Sequence, residues 1–171
     1  MAQPFKIRFE VDGEVQFAKN IKGLQDDVKD FRPAFELIYA EFLETESKQV
    51  GAEGSFEGNE RWKRLSEDYE KWKSRHFPGN PILELRGHMK RSLTQKGADG
   101  AVYRASEKEL EMGTSIGYAI YHQRGNNRMP QRKPIELSEE QKKRWMIVMK
   151  NFAGKKIDRR VSQRYRPAGS K

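Results

Sequence analysis

The 171-residue chain has no cysteine, which excludes a disulfide framework, a thiolate metal site and a cysteine nucleophile together. It also lacks any apolar run approaching the roughly 20 residues of a membrane span, and residues 1–8 hold no signal-peptide core. The expectation is a protein of a reducing compartment with no membrane partner. Hydrophobic residues are scarce at 35% while charged residues reach 35%, so the apolar side chains must concentrate on a few amphipathic faces. The chain contains no Gly-x-Ser-x-Gly elbow, no phosphate-cradling Gly-x-x-x-x-Gly-Lys-Ser/Thr loop and no dinucleotide fingerprint. Its three histidines, His76, His88 and His122, are far apart and none has the short helical spacing of a zinc pair. Most carboxylates alternate with lysines on polar stretches instead of grouping as an acid-base pair. These absences point away from an enzyme, and no catalytic residue, cofactor or metal is expected.

What is abundant is positive charge, a net +9 spread unevenly. Between Asp26 and Glu60 ten acidic residues face three basic ones, and between Lys155 and Lys171 seven basic residues oppose one acidic. A chain with opposite ends of this kind can meet its own copies head to tail, and its basic end suits phosphate backbones. The alternative is a solvated face and a loose tail.

Phe5, Ile7, Phe9 and Val11 alternate with polar residues as a half-buried strand does. Asp12-Gly13 signals a turn. A three-residue loop there pairs Phe9 with Val15 and Ile7 with Phe17, burying both rows on one face. After Gly23 the period changes: Phe31, Phe35, Ile38, Tyr39 and Phe42 predict a long helix with Pro33 in its first turn, fraying from Glu46. Gly51 to Gly58 reads as a mobile loop. Trp62, Leu65, Tyr69 and Trp72 predict a second amphipathic segment ending at Pro78-Gly79, and Leu83, Leu85, Met89 and Leu93 a third short helix weakened by Gly87. Residues 101–105 and 110–114 read as two strands of an antiparallel meander, and 118–123 as a short helix. Ser138 with Gln141 forms a capping box, Leu137 a staple, and Trp145, Val148, Met149 and Phe152 the buried stripe of the last helix, with Gly154 at its stop.

The fold class is therefore α+β, a small antiparallel sheet with a β-hairpin packed against two or three amphipathic helices. Residues 1–154 form one domain. Residues 155–171 form a basic tail, disordered unless a partner orders it. Arg124 to Lys133 has four basic residues, Arg124, Arg128, Arg132 and Lys133, and no acidic one. That loop is either a phosphate or acidic-partner contact or a solvated surface. The aromatic residues Trp62, Tyr69, Trp72, Tyr118 and Tyr121 either stack on nucleic-acid bases or, as their helical spacing favours, pack in the core.

Four segments in order resemble the phage virion morphogenesis family, the tail-completion proteins of Mu-like and related tailed phages. Trp62-Lys63-Arg64-Leu65, with Tyr69 and Lys73, resembles the family's Trp-x-x-Leu opening. Residues 82–93, Ile-Leu-Glu-Leu-Arg-Gly-His-Met-Lys-Arg-Ser-Leu, resemble its Leu-x-x-Thr-Gly-x-Leu-x-x-Ser segment. Gly113-Thr114 and Tyr118-Ala119-Ile120-Tyr121-His122-Gln123-Arg124-Gly125 resemble its Tyr-Ala-x-x-His-Gln-x-Gly signature. Arg132 to Glu140 is similar to its Arg-x-x-Leu-Gly-Leu-Ser-x-Glu segment. Arg86 stands where Thr is usual and Glu136 where Gly is usual. The resemblance covers roughly Phe56 to Phe152. It implies a structural virion assembly protein acting in tail completion at the head-tail junction, or neck, after assembly in the host cytoplasm. The implied state is a homo-oligomeric ring, a hexamer or dodecamer, touching other neck and tail proteins.

In such a ring, Arg124, Arg128, Arg132, Lys133, Lys155, Lys156, Arg159 and Arg160 are candidates for subunit contacts or for non-specific contact with phage DNA. Tyr118, His122, Gln123 and Gly125 are candidates for a structural latch. There Tyr118 and Tyr121 pack on the sheet while His122 and Gln123 fix the loop after Gly125. A basic, non-sequence-specific nucleic-acid-binding module is the alternative function.

Overall fold

The computed structural model of the protein describes residues 6–10 and 30–164, with side chains described from 30 to 154. Helix α1, Arg32–Gly51, forms because Phe35, Ile38, Tyr39 and Phe42 recur on one face and all are buried. Its start is fixed from outside, since the Phe31 amide donates to the Glu107 carbonyl at 2.8 Å. Pro33 sits in the first turn, where its missing N–H costs no helical hydrogen bond. The helix does not fray at Glu46. Thr45, Glu46, Gln49 and Val50 prolong the buried face to Gly51, polar side chains holding positions that an apolar count alone passes over.

Strand β1 (Lys6–Glu10), β2 (Ala101–Ala105) and β3 (Glu109–Thr114) make one antiparallel sheet in the order β1-β3-β2. Ile7 stands opposite Met112 and Phe9 opposite Leu110. The expected pairing of Phe9 with Val15 and Ile7 with Phe17 lies outside the described residues. Leu110 and Met112 alternate into the core. Helix α3, His88–Thr94, begins only after Gly87, whose φ of +73° opens its first turn. Leu83 and Leu85 therefore lie before it, in irregular backbone, and Met89 and Leu93 carry its packing against α1 and the sheet. Ser92 Oγ and Thr114 Oγ1 bond at 2.7 Å, a buried polar link between α3 and β3.

The last helix, α5, spans Glu139–Arg164. Ser138 Oγ accepts the Gln141 amide at 3.0 Å, so the capping half of the box forms. The Gln141 side chain is buried without a hydrogen-bond partner among the described residues, so the reciprocal half does not. Trp145, Met149 and Ala153 are buried, with Val148 and Phe152 packed beside them. The helix runs through Gly154 and continues to Arg164, so the stop expected at Gly154 is absent and residues 155–164 are helical. A glycine inside a helix costs about 1 kcal/mol relative to alanine but does not break its hydrogen bonding. One cluster unites α1, α3, the sheet and α5, the architecture of a small α+β domain.

Between these elements, Gly51 to Gly58 is a bonded series of turns and not the loose loop its glycines suggest. Gly54 N donates to Gln49 O at 2.9 Å and Trp62 N to Glu53 O at 2.8 Å. A Cβ at Gly54 would meet the Trp62 ring at 2.6 Å, so only glycine lets the indole lie flat on the turn. Trp62 is buried and its Nε1 donates to Lys133 O at 2.9 Å. Helix α2, Glu67–His76, starts five residues later and buries only Lys73. Tyr69 and Trp72 are about two-fifths exposed (41% and 42%), so the amphipathic stripe expected through them is not packed on the core. No helix among the described residues is long and apolar enough to cross a membrane.

Candidate functional site: a cationic cleft beside the His-Gln-x-Gly turn

Helix α4, Ala119–Arg124, is one short turn whose buried residue is Ala119. Tyr118 and Tyr121 are half exposed (45% and 52%), so neither packs on the sheet as expected. Gly125 ends the helix at φ 68° and ψ 176°, a combination essentially restricted to glycine. A Cβ there would sit 2.7 Å from the Gln131 amide nitrogen.

Gln123 turns inward. Its Nε2 donates to Ile135 O at 2.9 Å and its Oε1 accepts from Ile135 N at 3.3 Å, so the side chain completes the backbone pairing of a residue twelve positions on. Gln131 Nε2 donates to Gln123 O at 2.8 Å and Arg132 N to His122 O at 2.9 Å. These bonds pin the 125–131 loop against α4.

Arg132 is 5% exposed, and its Nε and Nη2 donate to the carbonyls of Lys63 and Arg64 at 2.6 and 2.7 Å. It anchors the segment before α2 and is not presented to a DNA backbone, which corrects its assignment as a channel contact. Lys133 is half-buried and paired with Glu136. Arg124 and Arg128 are the exposed cations of this loop. The side chains of Lys155, Lys156, Arg159 and Arg160 lie outside the described residues.

These segments enclose a cleft of about 800 Å³. One wall is α2 with Leu65 and Tyr69, the second is the 83–88 segment, and the third is Tyr118, His122 and the 128–132 loop. Three of the four segments quoted for their family resemblance contribute chiefly these walls, and the fourth enters through Arg132. His122 stands edge-on to Tyr118, ring centroids 6.1 Å apart at 90°. Burial, then the Arg132 charge, pushes the His122 imidazole below its ordinary pKa, so it is neutral at pH 7. Its Nδ1 is buried without a hydrogen-bond partner among the described residues.

Sequence reasoning missed Arg64, Lys73, Arg86 and His88 as cleft residues. All four fall within the quoted segments, but only the fold brings them to one space. Of the aromatic residues set against each other as stacking or core groups, Trp62 alone is core. Tyr69, Trp72, Tyr118 and Tyr121 are exposed, and Tyr69 stacks on Trp72, which stacks on His76, at 5.5 and 4.9 Å. Among the described residues no group of three His, Asp or Glu side chains is placed to hold a metal ion.

The acidic stretch is largely paired within the chain. Arg144 of α5 binds Glu41 at 2.6 Å and Glu57 at 2.8 Å, Lys96 binds Glu36 at 2.9 Å, and Arg61 binds Glu53 at 2.7 Å. Comparison with known proteins gives no match among curated proteins or solved structures. A family model, the phage virion morphogenesis family, matches residues 14–152. That span includes all three walls of the cleft and every residue of the core cluster but Ala153, and the chain belongs to the phage virion morphogenesis family, with a structural role in phage assembly.

Proposed function

We propose that the protein completes the phage tail at the head-tail junction, acting as a homo-oligomeric ring without catalysis. Family membership supports an assembly role. The observation that carries the further step is the exposure of Tyr69, Trp72, Tyr118 and Tyr121, of which Tyr69 and Tyr118 line the cleft and Trp72 and Tyr121 lie outside it. Large aromatic side chains left on a surface together with arginines are the composition of protein-protein contacts. In a ring, each copy joins the next through two different faces. Because Glu36, Glu41, Glu53 and Glu57 are already paired inside the chain, ring closure draws on the aromatic surface more than on the acidic stretch. The basic residues Lys155, Lys156, Arg159 and Arg160, with Arg124, are left to meet phosphates of DNA passing through, without sequence preference.

Light scattering of the purified chain at low and high salt tests this. A discrete multimer that survives high salt is expected, since apolar contacts are little screened. A monomer at every salt that binds DNA with a steep salt dependence would instead make the protein a basic nucleic-acid-binding module.

A further inference from the structure

The cleft carries more positive charge than its own chain neutralises. Arg32, Arg61, Arg104 and Arg144 each have a carboxylate within 3.4 Å. Arg64, Arg86 and Arg128 line the cleft, are exposed, and have no ion-pair partner among the described residues. Deeper in, Lys73 and Arg132 are each 5% exposed and donate to backbone carbonyls, Lys73 to Pro81 and Arg132 to Lys63 and Arg64. Burying the Arg132 cation among neutral carbonyls is unfavourable, and a nearby anion recovers that cost, whereas Lys73 already feels the Glu53 and Glu84 carboxylates. Glu84 is the one carboxylate in the lining, and Lys90 already binds it at 2.8 Å. His122 adds a buried nitrogen, Nδ1, with no partner among the described residues.

The floor between these charges is apolar, made by Leu65, Leu83 and Leu85, with Tyr69 and Tyr118 at the sides. A volume of about 800 Å³ is within the range of pockets that enclose a ligand. A duplex presents phosphates on a broad convex surface and has no apolar group to fill such a floor. A peptide can offer both.

We propose that this cleft docks an acidic segment of a neighbouring virion protein. An aliphatic or aromatic side chain of the segment seats on Leu65, Leu83 and Leu85 while its carboxylates meet Arg64, Arg86 and Arg128. That the neighbour is another virion protein rests on the assembly reading above; the acidic and apolar character of the segment rests on the cleft alone. Arginine suits the task because its planar fork binds carboxylates bidentately.

The full chain is titrated with a fluorescein-labelled peptide Asp-Glu-Leu-Phe-Glu-Asp, and anisotropy is read at low salt. Saturable binding is expected, lost when lysines replace the acids and weakened at least about tenfold when glycines replace Leu-Phe. Arg86→Glu and Arg128→Glu should each weaken binding by about tenfold, and Arg75→Glu, on the exposed part of α2, should not. Equal binding of the three peptides, or no binding, or unchanged affinity in both cleft variants, overturns the proposal. A short random DNA duplex that displaces the peptide and loses affinity in the same variants also overturns it, in favour of nucleic acid. Light scattering of the same samples separates the two readings. A multimer that persists in R86E while peptide binding is lost supports both. A monomer that still binds the peptide keeps the cleft and removes the ring. A multimer that the peptide dissolves assigns the cleft to a second copy and overturns the different-protein partner.

Discussion

Gln123 and Ile135 complete each other's hydrogen bonding. The amide Nε2 donates to Ile135 O at 2.9 Å while Oε1 accepts from Ile135 N at 3.3 Å. Ile135 is buried, so truncating the side chain leaves a buried N–H and C=O unsatisfied at once. Gln123→Ala should cost about 2–4 kcal/mol, because each orphaned buried group costs roughly 1–3 kcal/mol. Gln123→Glu keeps an acceptor for the amide but sets a carboxylate against the Ile135 carbonyl, and should also lose stability. Urea denaturation followed by Trp fluorescence measures both. A loss below about 0.5 kcal/mol for the alanine variant would mean that another group takes over the bonds.

Two glycines should respond in opposite directions to the same substitution. Gly125→Ala forces a side chain into a glycine-only backbone region and against Gln131 N, 2.7 Å from the new carbon. It should destabilise by about 2 kcal/mol or more. Gly154→Ala lies inside α5, where a Cβ meets nothing within 4 Å, and should stabilise by about 1 kcal/mol. Thermal denaturation of the pair gives the comparison internally. The same sign for both would contradict the geometry.

The elements that could be read from the sequence were those with a strong period. Phe35, Ile38, Tyr39 and Phe42 specify α1, and Trp145, Val148 and Met149 specify α5, because the helical period is written in neighbouring residues even though other elements bury the face. The short strands 101–105 and 109–114 were bounded by glycines and were legible for that reason. Local reading failed where a distant group decides. Glu46 and Gln49 look like solvated positions but stay in the buried face of α1, which the sequence around them does not announce. Tyr69 and Trp72 carry a helical spacing yet face outward, since α2 is held through Trp62 and Arg132, whose partners lie some 70 residues away (71, 69 and 68 positions). The charge of Arg132 pointed to a surface role, and only the two carbonyls that capture it show otherwise. The cleft itself is not local at all, since its walls come from four separate segments.

Arg144 holds three parts of the fold together. It pairs with Glu41 of α1 and with Glu57 of the glycine-rich turns, and Glu57 also accepts from Ser138 Oγ at 2.5 Å. Burial pushes the Glu57 carboxyl up, but hydrogen bonds from Arg144 and Ser138 outweigh it and bring its pKa below the ordinary 4.5. A depressed pKa gives stability that is present above the unfolded value and lost as pH falls through the folded one. Arg144→Met should therefore cost about 1–3 kcal/mol at pH 7 and lose less on acidification below pH 4.5 than the parent does. Equal acid sensitivity in the two proteins would show that Glu57 does not depend on Arg144.

Glu46 titrates in the other sense. Its carboxyl is 1% exposed, Oε2 has no partner among the described residues, and burial followed by the charge of Glu41 raises its pKa well above 4.5. With a folded pKa above the unfolded one, the contribution to stability is full below pH 4.5 and declines as pH rises toward the folded value, because ionisation is favoured only when the chain opens. Gln at this position keeps the shape and cannot ionise. Glu46→Gln should thus match the parent near pH 4 and exceed it at pH 7–8, with the gap widening over that interval. Glu46→Leu should gain more at pH 8, since it also removes a buried unpaired polar group. Melting temperatures at half-unit pH steps would show this as diverging curves, and parallel curves would mean that Glu46 keeps its charge in the folded protein through a partner reached by local opening.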